Sequence, residues 1–420
     1  MRRLVLLAIL LTVIVGGCLG QAENGKPSPT SSSSTFTPPG TKYDVLKEGQ
    51  EAPIVRGINA FAVDLYRELA GGEDNLFFSP YSVETALAMA YDGASGATRE
   101  EMGKVLHLPS ENDTRWVGFR YLLLSLKTSN GSPYVLRSAN ALWIQRDYPI
   151  DEKYLWVIRT FYLGRVDKVD FVNDPEGSAR EINDWVEEQT NGRIKDILSK
   201  LSPDTRLIIT NAIYFKGNWS SRFEASETRN GTFHSPSGPV TVPMMHQRGK
   251  FPYFENNELQ ALELPYEGGR LSMLIILPRE GKFEKVENEL STEFIEDIMN
   301  GTTEESVKVT LPKFRVAQEY HLRDILADMG MGSAFKVPGF SGISPGGNLV
   351  ISDVLHKTLI SVAENGTEAA AVTAVTMTLA AVPGQENFKV FNADRPFIFL
   401  IYDRETGAIL FMGRLVNPKE

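Results

Sequence analysis

The chain has a single cysteine, Cys18, among its 420 residues, so no disulfide can form within it. The absence of cysteine beyond that position also leaves only five scattered histidines, too little for a zinc site. No Gly-x-Ser-x-Gly elbow, His-Glu-x-x-His pair or Gly-x-x-x-x-Gly-Lys phosphate loop occurs. Gly339-Phe340-Ser341-Gly342 only superficially resembles the first of these and reads as a loop. No dense run of Lys or Arg is present either. With a net charge of −10, a nucleic-acid partner working by phosphate neutralisation is excluded. Nothing in this inventory calls for an enzyme, a metal or a cofactor.

What is present begins at the N-terminus. Arg2-Arg3 precede an apolar run from Leu4 to Val15, followed by Gly16-Gly17-Cys18. A charged start, a short apolar core and small residues make an export signal over residues 1–17. A spanning helix would need about 20 apolar residues. Val15-Gly16-Gly17-Cys18 resembles a prokaryotic lipobox, in which Cys18 becomes the lipidated first residue; the alternative is an ordinary signal peptide with an incidental cysteine. Residues 18–47 then read as a Ser/Thr/Pro-rich linker that cannot bury enough apolar surface to fold. The expected location is outside the cell, free or held at the outer face of its membrane. The folded domain is expected over residues 48–420, in a chain that is 42% hydrophobic and 23% charged.

Within it, Arg56–Ala70 places Ile58, Phe61, Ala62, Leu65, Tyr66 and Leu69 on one helical face. Thr98 with Glu101, and Ser178 with Glu181, match capping boxes and predict helix starts there. Ser79-Pro80 predicts another, with proline in the first turn. Strand patterns are strongest at 207–215, 271–277, 307–311, 397–401 and 409–415, which suggests a mixed α+β domain. One stretch fits none of this. From Ala369 to Val382 run 14 residues without charge, glycine or proline, between Asn365-Gly366 and Pro383-Gly384. It is long for a strand and too rich in Val and Thr for a good helix. Left simply exposed, it would invite aggregation.

The segment "FNADRPFIFLIYDRETGAILFMGRLVNP", residues 391–418, closely resembles the C-terminal signature of the serpins, a family of serine-protease inhibitors. Phe391, Asp394, Arg395, Pro396 and Phe397 fall where that signature needs them. Residues 75–102, 182–198, 210–219 and 354–371 resemble further serpin blocks, in serpin order. The resemblance implies a serpin fold, three β-sheets with about nine helices and an exposed reactive-centre loop. It implies no catalytic residues of its own. The function implied is that of a suicide substrate. A serine protease attacks the loop and forms an acyl-enzyme; the cut loop then enters the central sheet and traps the protease.

By the same resemblance Glu364, Gly366, Thr367, Glu368, Ala369, Ala370 and Ala371 form the hinge at which insertion starts. The alternation from Thr367 to Met377 keeps one face small or apolar, as a strand bound for a packed sheet requires. Aligning the hinge puts the reactive bond at Ala380–Ala381, with Leu379–Ala380 as the next choice. Uncharged residues there suit subtilisin-like, elastase-like or chymotrypsin-like proteases. Ser79, Ser82, Asn211 and His356 match the family's shutter, and Trp219 its breach residue. Read alone, these would be core or cap residues. The expected partners are therefore serine proteases, met by a monomer that touches a membrane only through a lipid on Cys18. The alternative is a non-inhibitory serpin, acting as a binding or chaperone-like protein; it would be expected to carry a bulky or charged residue at Thr367.

Overall fold

A computed structural model describes residues 36–38, 43, 45–129, 131–367 and 387–419. The chain separates into a unit Met1–Thr37 and a unit Pro38–Glu420, and everything below concerns the second. Cys18, Glu368, Ala369, Ala370, Ala371, Leu379, Ala380 and Ala381 lie outside the described residues.

The strands of the first half are β1 (Leu76–Phe78), β2 (Tyr134–Gln145), β3 (Arg165–Val169), β4 (Leu207–Asn218) and β5 (Arg229–Ser235). There follow β6 (Gly238–Glu255), β7 (Leu259–Pro265), β8 (Leu271–Pro278), β9 (Thr303–Pro312) and β10 (Phe314–His321). The last are β11 (Asp353–Ala363), β12 (Gly366–Thr367), β13 (Lys389–Asn392), β14 (Phe397–Asp403) and β15 (Ile409–Leu415). A six-stranded sheet has the order β10-β11-β12-β4-β2-β3. The remaining strands join one nine-stranded hydrogen-bonded network. The 18-residue β6 divides that network. Its start pairs with β5 and its middle with β9, whereas its end pairs with β7.

The strand β4 shows why the six-stranded sheet sits at the centre. Its residues 207–215 are apolar almost without break and buried on both faces. Ile209 and Ile213 enter the main core, which includes helix Pro80–Tyr91; Ile208 and Ala212 pack with Ile182 and Val186 of helix Pro175–Gln189. A strand covered on both sides has no need of polar alternation.

Among the described residues there are ten α-helical segments. Arg323–Leu326 and Gly332–Lys336 are separate helices: the wider turns of Ala327–Met331 between them are broken by a kink at Gly330, whose φ of +117° is not helical. Helix Ala52–Leu69 buries the face read from the sequence, including Ile58, Phe61, Ala62, Leu65 and Tyr66. Ser79 caps helix Pro80–Tyr91 by accepting a hydrogen bond from the Ser82 N–H, as the Ser79-Pro80 pair predicts. The two capping boxes do not act as such. Helix Gly96–Val105 begins ahead of Thr98, and the Glu101 carboxylate instead accepts hydrogen bonds from the distant Ser333. Helix Pro175–Gln189 is capped by Asp174, which leaves Ser178 buried one turn inside it. Both boxes were legible chemistry that tertiary partners or an earlier cap displaced. Tyr43 belongs to the packed body: its ring meets Trp116, Trp156 and Phe161, and its hydroxyl donates to Asp113 at 2.7 Å.

Candidate functional site: a partly opened gap between two central strands

The site is the gap between β11 and β4. At its upper end β11 turns back through the two-residue link Glu364-Asn365, and Gly366-Thr367 enter as β12. They pair antiparallel with Val362 and Ala363 on one side, and with Gly217 and Asn218 on the other. Gly366 has φ +149°, and a Cβ there would collide with the Gly217 carbonyl and lie 2.7 Å from Asn218 Cα. Only glycine fits this entry.

Thr367 is 1% exposed, and its hydroxyl shares a 2.6 Å hydrogen bond with the Tyr266 hydroxyl. The Tyr266 ring stacks on Trp219 with centroids 4.6 Å apart. Trp219 then holds the turn itself. Its indole N–H donates to the Ala363 carbonyl at 3.0 Å, and its backbone N–H to that of Asn365 at 2.9 Å. The Glu364 carboxylate pairs with Lys313 at 2.8 Å and accepts from the Thr228 hydroxyl at 2.9 Å. Burial pushes that carboxyl's pKa up, but the bonds from Lys313 and Thr228 outweigh it, and the net pKa lies below the ordinary value.

Below this point, among the described residues, no strand stands in the gap. Residues 353–359 of β11 pair directly, in parallel, with 208–214 of β4. In the middle, His356 lies opposite Asn211, which lies opposite Asn140 of β2; on the far side His356 faces Tyr320 of β10. One polar row thus crosses four strands. The His356 Nε2 accepts from the Ser79 backbone N–H at 3.0 Å. Its Nδ1 therefore carries the proton and donates to Asn211 Oδ1. The Asn211 amide donates in turn to Ser82 Oγ and Asn140 Oδ1. Ser82 is also 2.7 Å from Ser138 Oγ, and the Ser79 hydroxyl donates to the Leu410 carbonyl at 2.6 Å. Burial pushes His356 down to about 3, only partly offset by its bond to Asn211, so the imidazole is neutral in any ordinary buffer.

The structure thus gathers Ser79, Ser82, Asn211 and His356 into one cluster, and Trp219, Glu364, Gly366 and Thr367 into another. Sequence reading missed Asn140 and Ser138 in the first, and Tyr266 and Lys313 in the second. Asn140 carried a signal, as a buried polar residue inside the run Ala139–Ile144. Tyr266 and Lys313 carried none, because each reaches the hinge only through the tertiary fold.

Comparison with known proteins places the chain. The family model described as "Serpin (serine protease inhibitor)" matches residues 56–418. A serpin-like protein of Thermococcus kodakarensis is 66% identical over the full length of both chains. The leukocyte elastase inhibitor of Equus caballus is 38% identical, across 85% of this chain and 97% of that one. The solved structure of human thyroxine-binding globulin in complex with thyroxine superposes with a TM-score of 0.79 at 31% identity, covering 88% of this chain and 100% of that one. The protein belongs to the serpin family. The relatives include one named for inhibiting an elastase and one for binding thyroxine, so membership alone does not choose between these activities.

Proposed function

We propose that the protein inhibits serine proteases as a suicide substrate. The observation that carries this is the seating of Gly366-Thr367 between β11 and β4, with those strands still paired below. On continued antiparallel pairing, each further loop residue meets one residue back along both neighbours. Six steps after Thr367, Thr373 meets Asn211 and His356 together. Thr376 likewise meets Ile208 and Asp353, the far ends of the present pairing. Both neighbours agree on one register, so the gap can accept a single straight strand.

The chemistry follows from that geometry. The protease serine attacks the Ala380 carbonyl, an ester forms, and the amine of Ala381 departs. Residues 368–376 then exchange one β11–β4 ladder for two new ones. At about 0.5–1.5 kcal/mol per net hydrogen bond, the gain is on the order of 10 kcal/mol. Small residues at 369, 371, 373 and 375 follow Thr367 on the buried face without charge to desolvate. Leu379, Ala380 and Ala381 suit apolar or small specificity pockets, and subtilisin-like, elastase-like or chymotrypsin-like enzymes are the expected targets. The reading includes an extracellular position, which rests on the sequence of residues 1–47.

Mixing the full chain with a subtilisin-type protease tests the proposal. A covalent complex that survives denaturing electrophoresis, with release of a C-terminal peptide starting near Ala381, is the expected result. Cleavage within 376–382 that leaves the protease fully active would refute it for that target class and favour a non-inhibitory binding protein.

A further inference from the structure

The chain re-enters the described structure at residue 387 and forms β13, which pairs parallel with β9 at the end of the nine-stranded network. Val390 of β13 lies beside Lys308 of β9, which lies opposite Arg248 of β6. The alternate residues Val307, Val309 and Phe391 are buried, so Arg248, Lys308 and Val390 share the solvent face. Val390 is 60% exposed. Like charges directly opposite each other across an antiparallel pair destabilise it. Neither Arg248 nor Lys308 has a carboxylate within ion-pair distance among the described residues. The neighbouring Lys250, by contrast, pairs with Glu304 at 3.7 Å, and Lys389 with Glu255 at 2.8 Å. The Lys308 ammonium instead lies 5.4 Å from the centre of the Phe388 ring. His246, further along the same face, is bonded to Thr310 and Arg229, and the positive Arg229 adds to the burial that lowers its pKa. In a chain of net charge −10, Arg248 and Lys308 thus make a cationic pair without a carboxylate partner among the described residues, next to an exposed apolar residue, although Glu227 acts on the nearby His246 and Glu304 on Lys250.

We infer that Arg248 and Lys308, with Val390 and Phe388, form a second docking site for the attacked protease and favour enzymes with an acidic surface beside the catalytic cleft. The inference rests on the inhibitor reading above. Its geometry comes from the chain: Ala381 is eight residues before Lys389, a span of at most about 30 Å when extended. A protease of ordinary size is about 45 Å across. A protease holding the bond at 380–381 can therefore reach the face on which β13 lies. The acidic chain as a whole repels an acidic enzyme; a local cationic pair lets such an enzyme approach in one orientation only.

The probe is an acidic-surfaced subtilisin-type protease whose catalytic serine has been changed to alanine, so that docking is read without acylation. Binding to the full chain and to the double variant Arg248→Glu, Lys308→Glu is compared at low and high salt. The double variant is expected to bind roughly tenfold or more weakly at low salt, with the difference vanishing at high salt. Because a like-charged pair remains, its thermal midpoint should be unchanged, which separates docking from folding. Failure of the inactive protease to bind, equal affinities for both chains, or an equal loss against a basic-surfaced protease would each overturn the inference. A chain that docks by charge yet never traps the active enzyme would instead sink the inhibitor reading and leave the docking site standing.

Discussion

The two ends of one gap differ in what holds them. Near Trp219 a strand already stands between β11 and β4, fixed by stacked rings and by a buried Thr367–Tyr266 bond. Around His356 the same two strands touch, and side-chain hydrogen bonds to Asn211 and Ser79 tie them together. At the upper end backbone already lies between the two strands, lined by groups that tolerate a neighbour. The middle is held shut by its hydrogen bonds, and a neutral imidazole with an amide can exchange partners without moving a charge.

The sharpest way to break the contrast is to spoil the open end. In Thr367→Arg a guanidinium would have to enter a site that is 1% exposed, without an acidic partner beside the Thr367 hydroxyl. We expect covalent complex to fall by roughly a hundredfold, with cleaved chain accumulating instead. Undiminished complex on a denaturing gel would show that entry does not pass through this seat.

Next in size is damage to the closed middle. Asn211→Ala leaves the His356 Nδ1–H, Asn140 and Ser82 without their common partner. Guanidine unfolding of the uncut chain should show a loss of about 2–4 kcal/mol. The cleaved chain, where residue 373 can take the amide's place, should lose less. Equal losses in both forms would mean that the network does no more than fill the core.

The smallest effect is the pH profile. His356 titrates far lower when folded, so the unfolded chain binds the extra proton between about pH 6.5 and 3. Stability should fall as pH drops through that window, by at most about 1.4 kcal/mol per pH unit. Glu84, buried on the same helix as Ser82 with neither carboxyl oxygen hydrogen-bonded, is pushed the other way by burial. The folded chain holds its proton, so stability should fall as pH rises above about 4.5. The slopes oppose each other between those values, which leaves a plateau. Glu84→Gln should remove the alkaline arm and uncover the His356 slope up to about pH 6.5. An unchanged profile of unfolding midpoint against pH would show that Glu84 is not held protonated.

Much of this arrangement could be read from the chain. Gly366 and the uncharged run from Ala369 to Val382 stand out by composition, and Gly366 falls where the resemblance to the serpins puts the hinge. The apolar run in β4 and the Ser79-Pro80 cap also survive folding unchanged, since each depends on local pattern. What could not be read was register. That His356 meets Asn211, and that Thr367 meets a tyrosine 101 positions earlier, depends on how separate strands slide into place. The capping boxes at Thr98 and Ser178 failed for a related reason: Glu101 found Ser333 more than two hundred residues away, and Asp174 capped first.

On the proposed inhibitor mechanism, the two residues of β12 change the kinetic problem of insertion from nucleation to growth. Starting a strand between two partners normally requires a disordered segment to find its register and close a loop before any contact stabilises it. Here folding has already set the register and closed the turn. On that mechanism each step after cleavage would add one residue to an existing end, and the race against hydrolysis would be one of elongation alone.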